Sequence, residues 1–148
     1  LKGAENVTLL NLWEKYHAQG FRLTEQQVQE DAAAVLAADR IIFQFPMNWY
    51  NMPWCLKLWQ DQVFSAISFS DLKDKIAGKE FGVSTTTASP STAYLKVCEN
   101  GRTLAENIMW IHHGSAVYLN MKYHGAFFFW PDLDEKETFT RFVKFVAE

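Results

Sequence analysis

The sequence predicts an α/β domain built on a parallel, doubly wound sheet. Three observations carry that prediction. Short apolar runs rich in β-branched and aromatic residues alternate with stretches of helical spacing, in the order β-α-β-α-β-α-β-α. The run Ile41-Ile42-Phe43-Gln44-Phe45 is apolar on both faces, as a central parallel strand should be. Two of the runs open into loops of amide, aromatic or hydroxyl residues, 47–52 and 86–92. Open α/β sheets bind ligands there, outside the carboxyl ends of their strands. A chain of 148 residues is long enough for one domain, 1–148, with its own core.

Residues 1–5 read as the end of a helix with a glycine stop at Gly3. Residues 6–12, NVTLLNL, are β-rich and apolar and predict a strand, followed by a connector over 13–21. Thr24 and Gln27 have capping-box spacing and open a helix over 24–38, with Val28, Ala32, Val35 and Leu36 on one face. The strand over 40–45 breaks at Pro46. A helix over 53–64 follows, with Pro53 in its first turn and Leu56, Trp59, Val63 and Phe64 at helical spacing. Residues 65–78 read as a loop with a short amphipathic piece. A strand over 79–85 runs into Thr86-Thr87-Ala88-Ser89-Pro90-Ser91-Thr92. Residues 100–114 predict a helix stopped by Gly114. A strand over 115–123 and an extended piece over 126–130 come next. A closing helix over 132–148 takes its cap from Asp132 or Asp134 and its inner stripe from Phe139, Phe142, Val143 and Val146.

Composition narrows the function. Aromatic residues make up 16% of the chain, enough to fill a core, line a site for a flat ligand or form an oligomer interface. A net charge of −3 with no basic run argues against nucleic acid. Cys55 and Cys98 lack metal-ligand spacing and read as free thiols in a reducing cytoplasm. No apolar run approaches the roughly 20 residues of a membrane span, and no signal-peptide pattern is visible. His112 and His113 point about 100° apart on a helix, which is no two-ligand metal face. They read as helix-end residues, and the isolated His17 and His124 read as structural. Asp132, Asp134, Glu135 and Glu137 read as a first helical turn complementing the dipole. On composition, the aromatic loop over 48–51 suits a planar ligand with a polar edge, and packing is the plain alternative.

Pro46, Trp49, Tyr50, Pro53, Leu56, Lys57, Trp59, Val63 and Phe64 fall on a recognisable pattern. It runs hydrophobic strand, Pro, two variable residues, an aromatic pair, Pro, Leu-Lys, Trp, Val-Phe. The stretch resembles the segment after the third strand of the flavodoxin-like NAD(P)H:quinone oxidoreductases. That family includes quinone reductases, modulators of drug activity and potassium-efflux ancillary proteins. The resemblance implies a flavodoxin-like three-layer sandwich with a parallel sheet of order 2-1-3-4-5. It also implies that the first strand and most of the first helix are absent from this sequence, about 25–30 residues by the size of a βα unit. The family's phosphate-holding loop would be absent with them. The strands at 6–12 and 40–45 would then lie about 9–10 Å apart, on either side of the absent one.

The resemblance further implies a flavin-dependent NAD(P)H oxidoreductase that passes two electrons to a quinone or similar flat acceptor in a ping-pong cycle. The flavin would be FMN or FAD. Its ring would meet Pro46, Met47, Asn48, Trp49 and Tyr50 after one strand, with backbone N–H groups of 47–49 as donors. The family's second ring-binding loop, Thr-Thr-Gly-Gly with a following Tyr, matches Thr86, Thr87, Ala88 and Ser89, with Tyr94 as cofactor-binding and catalytic residue. Ala88 and Ser89 replace two glycines, and Asn100 stands where the mammalian branch has a His. The implied protein is a cytoplasmic homodimer with a small-molecule acceptor and, through the potassium-efflux branch, a peripheral membrane partner. The alternative is a non-catalytic ancillary module on the same fold.

Overall fold

The computed structural model describes residues 6–147. Its sheet has three strands, β1 (Arg40–Pro46), β2 (Glu80–Thr86) and β3 (Lys122–Phe129), all parallel and in the order β1-β2-β3. The helices are α1 (Leu12–Tyr16), α2 (Glu25–Ala37), α3 (Trp54–Ser68), α4 (Lys73–Ile76), α5 (Ser91–Tyr94), α6 (Leu104–Tyr118) and α7 (Glu135–Ala147). Parallel neighbours need a crossover, which α3 and α4 supply for the first pair and α5 and α6 for the second. The register pairs Pro46 with Thr86 and Thr86 with Phe129, so the strands finish level and their three exit loops lie side by side.

One face of the sheet carries α3 and α6. Phe43 meets Trp59 and Phe64 at ring-centroid distances of 5.9 and 5.4 Å, and Phe45 meets His112 at 5.6 Å. Val63, Ile67, Phe81 and Val83 are fully buried there. Each such side chain contributes roughly 1.5–3 kcal/mol by burial. The other face carries α7, whose Phe142 meets Phe127 and Phe129 at 5.5 and 4.9 Å. Gly82 lies beneath α7: a Cβ there would stand 2.8 Å from Ile42 Cδ1 and 3.2 Å from Phe145 Cζ. The bare backbone lets the helix seat on the central strand. Arg40 fixes the end of α7 by donating to the carbonyls of Phe145 and Val146 at 3.3 and 3.0 Å.

The Thr24–Gln27 capping box forms, and α2 starts behind it. Its buried face holds a charge as well as aliphatics. Asp31 is 1% exposed and accepts from Lys15 Nζ at 2.6 Å, Tyr16 Oη at 2.6 Å and Trp59 Nε1 at 2.7 Å. One carboxylate thereby joins α1, α2 and α3. A buried ion is tolerable when its lone pairs are met in this way.

Several expectations are corrected. Residues 6–12 join no ladder: Asn11 caps α1, its Oδ1 accepting from the Glu14 N–H at 3.3 Å, and Leu12 is already helical. Strand propensity acts through neighbours, and none of the described residues pairs with this stretch. The 9–10 Å spacing therefore has no second strand to refer to. β1 is not covered on both faces. Ile41, Phe43 and Phe45 are buried while Gln44 and Pro46 are exposed, the alternation of a strand with one face open. The helix end expected over 1–5 lies outside the described residues.

Gly114 does not stop α6, which runs from the Thr103–Glu106 capping box to Tyr118. A glycine inside a helix costs about 1 kcal/mol, less than burying Ala116 and Leu119 just beyond it returns. The strand expected over 115–123 and the piece over 126–130 are therefore one strand, β3, starting at Lys122. A bulge shifts its register between Tyr123 and Gly125. Asp134 caps α7, accepting from the Glu137 N–H at 2.8 Å. Phe139 and Val143 lie outside the inner stripe, 50% and 38% exposed, and the buried positions are Thr138 and Phe142. The contacts of Phe142 and Phe145 with β3 set that rotation.

Candidate functional site

The loop after β1 is a tight hairpin. The Met47 N–H donates to the Thr86 carbonyl at 2.9 Å, tying the strand ends together. Asn48 and Asn51 exchange both backbone hydrogen bonds at 3.0 Å, with Trp49 and Tyr50 as the two residues between them. Their φ angles are 47° and 63°, the left-handed pair of a type I′ turn. Glycine and asparagine are the usual occupants. An L-residue there costs about 1–2 kcal/mol. Two aromatics are held in strain, yet Trp49 is 94% exposed and Tyr50 about half exposed. Buried Met52 and Pro53, at the N-cap of α3, anchor the far end.

The hairpin uses up two of the donors expected to face a ligand. The N–H groups of Met47 and Asn48 are both bonded within the protein. Those of Trp49 and Tyr50 have no acceptor among the described residues and remain available.

The second loop follows β2. Buried Thr85 donates its hydroxyl to the Phe45 carbonyl at 2.9 Å. Thr86 is exposed, and Thr87 shapes the turn by donating from Oγ1 to the Ser89 carbonyl at 2.9 Å. Ala88 and Ser89 face solvent. Ser91 opens α5, its N–H and hydroxyl both donating to the Asp132 carboxylate at 2.8 and 2.6 Å. These bonds hold the Asp132 pKa below its ordinary value.

Tyr94, at the end of α5, is 6% exposed. Its ring stands 6.0 Å from Tyr50 in an edge-on arrangement, 5.1 Å from Trp130 and 6.3 Å from Phe128. Phe128 and Trp130 stack on each other at 4.4 Å with an interplanar angle of 5°. Burial, then the neighbouring Tyr50, raises the Tyr94 pKa, so its phenol is neutral near pH 7. The residues singled out in the two loops are thus brought together, with Tyr50 meeting Tyr94 and Met47 bonding Thr86. An exposed flat ring, two free N–H donors and a neutral phenol can hold a planar ligand with a polar edge.

Phe128, Trp130 and Asp132 are neighbours of the candidate site that sequence reasoning missed. The run Phe127-Phe128-Phe129-Trp130 was the available signal: strand alternation sends Phe128 to the Thr85 face and Phe127 to the other. Asn100 exchanges hydrogen bonds with the Asn107 side chain and accepts from the Arg102 N–H, which closes its own loop. His112 is not a helix-end residue. It lies within α6, 1% exposed, with Nδ1 unpartnered, and burial pushes its pKa down to about 4. His113 stacks on Tyr123 at 4.9 Å, and His124 Nε2 lies 2.7 Å from the Phe145 carbonyl oxygen.

The family defined by the flavodoxin-like fold matches residues 1–144. The chain is 38% identical over 90 residues to the uncharacterized NAD(P)H oxidoreductase YdeQ of Bacillus subtilis, a match covering 60% of this chain and 43% of YdeQ. It is 32% identical over 119 residues to ribosyldihydronicotinamide dehydrogenase (quinone) of Rattus norvegicus, covering 74% of this chain and 49% of that protein. The chain thus spans about half the length of these curated relatives. Among solved structures it resembles one described as a thermophilic tryptophan halogenase from Streptomycin violaceusniger. The TM-score is 0.83 at 25% identity, covering 100% of this chain and 86% of that one. It shares its fold with general stress protein 14 of Treponema denticola in complex with FMN, with a TM-score of 0.73 at 21% identity, covering 95% and 78%.

Proposed function

The chain belongs to the flavodoxin-like fold family, and from that premise we propose that its strand-end loops form the ring-binding part of a flavin site in an NAD(P)H:quinone-type oxidoreductase. The meeting of Tyr50 and Tyr94 across two strand ends carries this reading. The residues present fit the group: unbonded N–H groups at Trp49 and Tyr50, an exposed indole, and small exposed side chains at Ala88 and Ser89. The names of the relatives, an NAD(P)H oxidoreductase and a quinone dehydrogenase, support it. So does the FMN complex of the Treponema protein.

The flavin, FMN or FAD, would supply the hydride chemistry of a ping-pong cycle between NAD(P)H and a quinone or similar flat acceptor. The chain's own residues do the rest. Pro46 ends the strand, and Met47 and Asn48 hold the hairpin closed. Trp49 and Tyr50 would offer the ring their unbonded N–H groups and their aromatic side chains. Thr86, Thr87, Ala88 and Ser89 would hold it from the second loop. Tyr94 keeps its proton on Oη and can donate it as a hydrogen bond where negative charge grows, while Phe128 and Trp130 exclude water behind it.

The active form is a homodimer in this reading. A groove of about 700 Å³ between α3 and α6, flanked by exposed Trp54, Phe69, Ile111 and Tyr118, supports such an interface. Among the described residues no helix is long and apolar enough to cross a membrane. A cytoplasmic site of action with a peripheral membrane partner belongs to the same proposal.

The test is loading and turnover. The full-length protein is titrated with FMN and with FAD, and flavin bleaching by NADH or NADPH is followed, then recovery with a soluble quinone. Tyr94→Phe should keep flavin affinity within about twofold and slow turnover by about tenfold, equivalent to about 1.4 kcal/mol of barrier. A colourless full-length protein that can be loaded with neither flavin favours the non-catalytic module instead.

A further inference from the structure

Tyr94 ends α5, a helix of only four residues. Isolated helices shorter than about 12 residues are marginal in water, so α5 needs a hold from outside. Its N-cap residue, Pro90, supplies no side-chain hydrogen bond. The Tyr94 hydroxyl makes no hydrogen bond among the described residues either. The direction of the phenol is therefore set by whatever anchors α5 and the ring.

Two anchors reach it from the exit of β3. One is apolar: Trp130 stands 5.1 Å from the Tyr94 ring and Phe128 stands 6.3 Å from it. The other is ionic. The Asp132 carboxylate accepts from the Ser91 N–H at 2.8 Å through Oδ1 and from the Ser91 hydroxyl at 2.6 Å through Oδ2. Hydrogen bonds to a charged acceptor are roughly twice as strong as neutral ones, and a pair of them fixes orientation as well as distance. The same bonds hold the carboxyl below its ordinary pKa, so the group is charged near pH 7. The Ser91 N–H is one of the donors that a helix's first turn leaves unmet. Asp132 meets it from 41 positions away, as an N-cap side chain would do locally. Tyr94 closes the turn that Ser91 opens. A tilt of α5 at Ser91 thus carries through to the phenol and to the 6.0 Å approach of its ring to Tyr50.

We propose that Asp132 is a positioning residue for Tyr94: through Ser91 it sets the angle of α5, and with it the place from which the phenol can donate to a bound ligand. The consequence for turnover rests on the flavin reading; the positioning itself does not. Misplacing a reacting group by about 1 Å can cost about a hundredfold in rate. The aromatic anchor survives the loss of Asp132, so the expected cost is smaller, about three- to tenfold.

The full-length protein is labelled with 3-fluorotyrosine and followed by fluorine NMR without flavin. The sequence above has five tyrosines, and the Tyr94 resonance is the one missing in Tyr94→Phe. Asp132→Ala should move that resonance toward its position in urea. Those of Tyr16, bonded to Asp31, and Tyr118, under Lys73, should stay in place. Asp132→Asn keeps one acceptor oxygen and should move the Tyr94 resonance less. In flavin-loaded protein, Asp132→Ala should slow quinone-dependent turnover by about three- to tenfold and keep flavin affinity within about twofold. In a Tyr94→Phe background it should cause no further loss, because the group it positions is gone. An unmoved Tyr94 resonance, an equal movement of all the tyrosines, or an undiminished loss of turnover in the Tyr94→Phe background would overturn the proposal. Should Asp132→Ala lose its native circular dichroism, Asp132→Asn decides in its place. A Tyr94 resonance that moves alone in a protein loading neither flavin keeps the positioning role and counts against the proposed function.

Discussion

Replacing Trp49 by Asn should make the protein more stable and the proposed flavin site worse. Trp49 has a φ of 47°, where an ordinary L-residue costs about 1–2 kcal/mol and Asn much less. Its side chain is 94% exposed. The hidden remainder of a ring of roughly 250 Å² is about 15 Å², worth about 0.4 kcal/mol at roughly 25 cal/mol per Å². The net gain is about 0.5–1 kcal/mol, a rise in Tm of about 2–4 °C for a chain of this size. Urea unfolding followed by circular dichroism measures it. Loss of one aromatic face should weaken flavin binding by about two- to tenfold, equivalent to about 0.5–1.5 kcal/mol. Trp49→Phe keeps both ring and strain and should change little. If Trp49→Asn is less stable than the parent by more than about 0.5 kcal/mol, the picture of a strained, solvent-facing ring is wrong.

Two further outcomes follow from buried groups. Asp31→Ala leaves Tyr16 Oη and Trp59 Nε1 without their acceptor and should cost about 3–5 kcal/mol in urea unfolding; a loss under about 1 kcal/mol would mean that α1 to α3 are held otherwise. The His112 pKa, ordinarily 6.5, is lowered to about 4 by burial, so the unfolded chain binds a proton that the folded one refuses. Its contribution is present above about pH 6.5 and is lost as pH falls toward 4, about 3 kcal/mol in all. His112→Leu should flatten the stability profile in that window, and an unchanged slope would show that other groups set it.

Local chemistry was legible wherever it acts within a few residues. The Thr24–Gln27 box fixed the start of α2, and Pro46 and Pro53 bracketed the aromatic loop. The Thr103–Glu106 box was equally readable, but Gly114 drew the boundary to the wrong place, because a glycine's helix penalty is small beside buried packing. Residues 6–12 have strand composition without a paired neighbour, and composition does not reveal who lies alongside. The site was legible as two loops over two strand ends. Its backbone was not: nothing in the letters Trp49-Tyr50 announces two left-handed residues, a conformation that aromatic types rarely take. That hairpin turned the N–H groups of Met47 and Asn48 inward and left those of Trp49 and Tyr50 out. Nothing local marks Asp31 as buried, because its three donors come from distant segments.

The two hydrogen bonds from Ser91 to Asp132 set an order in time. A chain leaving the ribosome presents its amino-terminal parts first, and β1 emerges before β2, the strand that pairs with it. The second loop cannot take its final shape until a residue 41 positions later has emerged. A nascent chain stalled before Asp132 would hold one wall of the pocket without the other. The second loop is then complete only after β3 has joined the sheet.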